Sequence, residues 1–153
     1  PELLRHMGGH ILHDHRLQGR ANPCGFCLNS HCKIYLIQHG QSITVDLQKS
    51  TCPNHRQIRL KAAQTFTACQ SCTNHPLKCP LCSTFVWKYN LACHIVDTHP
   101  TADKTLYESH YALDAKEVIA MKKFYLTPQC SKKSKQIKAL AISANHSSRF
   151  AFM

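Results

Sequence analysis

The sequence predicts a small α+β chain assembled from several Cys- and His-rich pieces instead of one large apolar core, and three observations predict it. Ten Cys and 12 His stand among 153 residues, more than packing alone explains. The cysteines recur in Cys-x2-Cys pairs, the spacing of a metal-binding knuckle. Around those pairs lie two short strand-like runs and segments of helical periodicity. A chain this long is one domain by default. Yet charged residues reach only 18%, and the 43% hydrophobic fraction includes the cysteines. No stretch approaches the ~18 consecutive apolar residues of a membrane span. The opening PELLRHMGGH lacks the apolar run of a secretory signal, so reduced thiols are expected, not a disulfide framework. With no Met at its start, the chain is expected to be an internal piece.

Residues 1–20 read as a weak helix interrupted at Gly8 and Gly9, followed by a polar stretch with His13 and His15. Residues 21–68 open with Cys24-x2-Cys27. KIYLI (33–37) and SITVDL (42–47) then read as the two strands of a hairpin, with Gly40 in the turn. Ile43, Val45 and Leu47 alternate with polar residues, as on a half-buried strand. The hairpin returns the chain to Cys52 and His55 beside the first knuckle. Soft and borderline N/S ligands in groups of four suit tetrahedral Zn²⁺. A first zinc site is therefore expected from Cys24, Cys27 and Cys52, with Cys32 or His55 as fourth ligand.

Residues 69–100 hold the densest ligand group. Cys79-x2-Cys82 is followed by eleven residues and then His94-x4-His99, with Pro100 ending the helix that carries the two imidazoles. Phe85 and Leu91 stand where such a unit keeps its small core. These residues resemble the C2H2 zinc finger family, over residues 79–99 only, with a Cys–His interval one short of the common ~12. The resemblance implies a ββα unit with Cys79, Cys82, His94 and His99 as zinc ligands. More loosely, CGFC, CTNHPLKCPLC, WKYN and the closing His pair are similar to uncharacterised fungal zinc-finger proteins. Leu3-x2-His6-x3-His10 likewise resembles the tail of a further finger. Cys69-x2-Cys72 opens one competing arrangement, a cross-braced RING-like pairing of Cys24/Cys27, Cys52/His55, Cys69/Cys72 and Cys79/Cys82.

In residues 101–153, Leu113, Val118, Met121 and Phe124 fall near one helical face, and the basic run KKSKQIK follows. The formal charge of +11 points to anionic partners, nucleic acid first, although each Zn(Cys)4 site subtracts two charges. Counted back from His94, the finger's base-reading places fall on Trp87, Asn90 and Cys93, of which Asn90 alone suits a base edge. The expectation is a non-enzymatic module with about two zinc ions. It would meet DNA or RNA with low specificity through phosphates, using Lys88, Asn90, Lys132, Lys133 and Lys135, in the nucleus. The alternative is a protein-interaction module presenting Trp87 and Tyr89. Neither a membrane nor a small-molecule substrate is expected. Catalysis finds no support: phosphate-cradling Gly-rich loops and His-x-Glu are absent, and four protein ligands close a zinc site. Each site is expected to hold its own segment, so that Cys79→Ser unfolds 79–99 and spares the hairpin.

Overall fold

The computed structural model describes residues 2–17 and 19–127. Lys132, Lys133, Lys135 and Cys130 lie outside the described residues. Within them the chain is a small α+β structure with two two-stranded antiparallel sheets and five α-helices.

Helix α1 (Glu2–His13) runs unbroken through Gly8 and Gly9, where an interruption was expected. The glycines serve close docking. A Cβ on Gly8 would lie 2.9 Å from the Tyr89 ring, and one on Gly9 would press against Tyr125 and the Met121 carbonyl. The helix propensity lost at each glycine, about 1 kcal/mol, is offset by the approach it permits.

Strands β1 (Leu36–His39) and β2 (Ser42–Val45) form the expected hairpin, with Leu36 opposite Val45 and His39 opposite Ser42. Gly40 takes φ +59°, as the first place of a two-residue hairpin turn requires. The first strand starts later than the sequence suggests. Lys33 and Tyr35 direct their N–H groups to Thr51 Oγ1 (2.9 Å) and Ser50 Oγ (3.0 Å), so this stretch is partnered by a loop. Of the three alternating apolar residues only Val45 is buried; Ile43 and Leu47 are exposed. The opposite side of β2 is covered at Thr44, which bridges Arg59 just before the short helix α2 (Leu60–Ala63).

Strands β3 (Pro76–Lys78) and β4 (Phe85–Trp87) pair next and lead through a 3-10 turn into α3 (Leu91–Thr98). Val86, paired with Leu77, joins Leu91 and Ile95 in the small core here, while Phe85 stays half-buried. Sequence spacing pointed to Phe85 for that place; strand alternation assigns it to its neighbour. Helices α4 (Glu108–Tyr111) and α5 (Ala115–Leu126) follow. Asp114 caps α5 by accepting from the Lys116 N–H at 2.7 Å.

Three small cores result. The first gathers Cys24, Phe26, Ile34, Val45, Cys52, Ile58 and Trp87. The second lies under α3. In the third, Cys72, Tyr89 and Met121 pack with residues of α1 and α5.

Candidate metal centres

Each knuckle is shaped by its own backbone. In the first, the Phe26 N–H points at Cys24 Sγ (3.5 Å), and Cys27 and Leu28 both donate to the Cys24 carbonyl. Leu28 takes φ +63°, a left-handed turn that costs a β-carbon-bearing residue energy and persists because the surroundings fix it. The second knuckle repeats the contact, with Leu81 N–H 3.4 Å from Cys79 Sγ. An N–H aimed at sulfur favours the thiolate, the form that binds metal.

Cys24, Cys27, Cys32 and Cys52 bring their sulfurs within 4.8 Å of one another. Cys27 Sγ lies 3.4 Å from Cys32 Sγ and 3.5 Å from Cys52 Sγ. Thiolates bound at the usual Zn–S length around one ion sit about 3.8 Å apart, so the group fits a tetrahedral metal. The fourth place left open by spacing is filled in this group by Cys32. His55 lies outside the group and turns Nδ1 to the Cys52 carbonyl. Burial raises the thiol pKa values of Cys24, Cys52 and, to about 12, Cys32. Burial also opposes ionisation of Cys27, but the Asn29 backbone N–H and the neighbouring thiols outweigh it and lower its pKa. Four thiolates this close ionise together only around a cation.

Cys79, Cys82, His94 and His99 form the second group, again within 4.8 Å. His94 Nε2 stands 3.5 Å from Cys82 Sγ and His99 Nε2 stands 3.7 Å from Cys79 Sγ. A tetrahedral zinc separates thiolate from imidazole by about 3.6 Å. His94, on α3, places Nδ1 3.3 Å from Thr98 Oγ1, a contact that steers Nε2 toward the sulfurs. The five-step interval to His99 would carry an ideal helical residue off this face. His99 instead caps α3 with φ −127° and ψ 61°, which returns its ring to 5.3 Å from that of His94. Burial resists the Cys82 thiolate, but Thr84 and then the two imidazoles pull its pKa down to about 6.

The cross-braced alternative does not form. Cys79 and Cys82 group with the two histidines, Cys69 is exposed, and buried Cys72 contacts the Leu4 carbonyl and the Tyr89 hydroxyl. The expected base-reading face also turns inward. Trp87 is 4% exposed and meets Phe26 edge to face, and Asn90 is 6% exposed with its amide donating to Asn22 Oδ1. Lys88 donates to Thr73 Oγ1 at 3.0 Å. Asn90, expected from sequence to meet a base edge, is thus spent on an internal bond, while Lys88 is half-buried and makes one internal bond; Cys93 alone of the three reading places is exposed.

Sequence reasoning missed the polar group beside them. Glu117 of α5, 1% exposed, accepts from the Thr73 N–H, from Thr73 Oγ1 and from the Tyr89 hydroxyl. No spacing signal marks a carboxylate whose partners lie 28 and 44 residues away. No protein-family model matches this sequence, and neither a curated protein nor a solved structure matches it.

Proposed function

We propose that the chain is a non-enzymatic module with two structural zinc ions, C2H2-like over residues 79–99, that meets nucleic acid through phosphates without reading bases. Its carrying observation is the pair of closed four-ligand groups, each with ligand atoms within 4.8 Å. Four protein ligands leave a zinc ion no open coordination position for chemistry, which supports a structural role. The partner follows from charge. Residues 21–68 carry Lys33, Lys49, Arg56, Arg59 and Lys61, all exposed, against one carboxylate, Asp46, which is 8% exposed. With Trp87 and Asn90 buried, contacts to phosphates remain where contacts to base edges do not. A nuclear location accords with this reading. The rival, a protein-docking face built on Trp87 and Tyr89, loses both residues to the interior, since they are 4% and 7% exposed.

Two measurements test the proposal. Elemental analysis of chelator-free protein should return two zinc ions, with His55→Ala retaining both and Cys32→Ser losing one. Absence of zinc would sink the module altogether. A salt titration against two unrelated duplexes should give a steep slope, about −0.9 per phosphate contacted, and discrimination well under ~10³. No binding at ~50 mM salt would leave a protein as the partner.

A further inference from the structure

The charge of the first module is not spread evenly over its surface. The Thr44–Arg59 bridge draws residues 59–62 along the outer edge of β2, beside the hairpin turn. A groove of about 540 Å³ opens there, lined by His39, Gln41, Ser42, Arg59, Lys61 and Ala62. His39 and Ser42 face each other across the hairpin and so share one side of it. Both permanent cations are exposed, and no carboxylate lines the groove.

The nearest acid in sequence cannot neutralise it. Asp46 is buried, and its Oδ1 accepts from the backbone N–H groups of Gln48 and Lys49, both at 3.0 Å. Among the described residues the ion pairs involve Asp14 with His10 and Arg16, and neither Arg59 nor Lys61 takes part. Two cations held together without an anion repel one another, and a phosphate placed between them relieves that repulsion. Arg offers it a planar fork and Lys a point charge, while Ser42 and Gln41 add neutral donors.

We propose that this groove, between the Gly40–Gln41 turn and α2, seats backbone phosphates of a bound nucleic acid strand. The inference rests on the nucleic-acid reading above and names where that contact is made. Continuity favours a chain over a free anion. His39 also lines a second groove on the same hairpin face, with Gln48, Lys49 and Gln57. The one acid there, Asp46, is buried and bonded to backbone N–H groups, so a polyanion can pass from one groove to the other.

The test is a salt titration of the full chain with zinc bound, on a duplex and on a single-stranded oligonucleotide, comparing wild type with R59Q/K61Q. Loss of two phosphate contacts should make the log–log slope shallower by about 1.8 on duplex DNA or about 1.4 on a single strand. Zinc content should stay at two ions, since both side chains are exposed and neither belongs to a four-residue metal group. If the double variant loses zinc, K61Q alone decides, with an expected change of about 0.9 on duplex DNA. Wild-type binding with an unchanged variant slope overturns the groove and leaves the wider proposal standing. Variant binding that becomes insensitive to inorganic phosphate while its oligonucleotide slope is unchanged assigns the groove to a free anion and also overturns it. Failure of the wild type itself to bind removes both.

Discussion

Gly25 lies flat against the Trp87 indole, and a Cβ added there would come within 2.4 Å of two ring carbons. Trp87 cannot step aside, because Phe26 meets it edge to face and the first core surrounds it. Gly25→Ala should therefore cost about 1–3 kcal/mol through overpacking. Trp87 is the chain's single tryptophan, so its fluorescence during denaturation reads the change directly. An unshifted midpoint would show that the indole and the knuckle part without cost. The same residue scale marks how far the site could be read from sequence. Seven of the eight residues in the two groups were expected: six follow from local spacing, in the two Cys-x2-Cys pairs and the His-x4-His pair, and Cys52 follows from the return of the hairpin. The choice between Cys32 and His55 is not local. Both fall within reach of the hairpin ends, and the Cys52 carbonyl, which holds His55 Nδ1, decides between them.

Among the elements, α5 departs most from its pattern. The sequence offered an apolar face of Leu113, Val118, Met121 and Phe124, but Val118 is 37% exposed and the fully buried residues are Met121 and Glu117. The helix turns because the other wall of its interface is polar. Thr73 and Tyr89 present three donors there, and a carboxylate satisfies all of them. Glu117→Ala would leave the Thr73 N–H and hydroxyl without this acceptor in the interior and Tyr89 with only its contact to Cys72 Sγ, at about 1–3 kcal/mol for each donor orphaned. The expected result is a lower unfolding midpoint, with amide protection lost first in α1 and α5. Unchanged protection there would place the hold on these helices elsewhere. The same interface explains why α1 runs unbroken. Glycine propensity predicts a break, whereas Gly8 and Gly9 are the places where Tyr89 and Tyr125 approach the helix. Local rules gave the hairpin, the β–β–α order of residues 76–98 and the stop of α3 before Pro100, but not the break at 112–114 that divides α4 from α5. Contacts spanning tens of residues gave the rest, and a single sequence carries no local mark of them.

At the scale of the molecule, the two candidate metal groups share a side chain. Their ligand spacings suggested independent units, so that loss of one would spare the other. Trp87 closes β4 in the second unit, yet it is buried in the core with Cys24 and Cys52, two members of the first group. A structural zinc ion contributes roughly 10–16 kcal/mol to folding its site, far more than Val86, Leu91 and Ile95 can replace. Cys79→Ser should unfold residues 79–99 and free the indole as well. Withdrawing a buried Trp costs a core about 3–5 kcal/mol when the side chain is deleted, and part of that cost falls on the first zinc site. The prediction is a first site that binds zinc at least tenfold more weakly in Cys79→Ser, measured by chelator competition, with reduced amide protection over 33–52. Linkage makes the effect reciprocal: Cys24→Ser should weaken zinc at the second group by a similar factor. Gly25→Ala presses the same contact from the first side: it keeps all eight side chains but pushes the backbone between Cys24 and Cys27 against an indole that cannot move, so it should weaken zinc at the first group more than at the second. First-site affinity in Cys79→Ser within twofold of wild type would mean that Trp87 rests on the first core without supporting it.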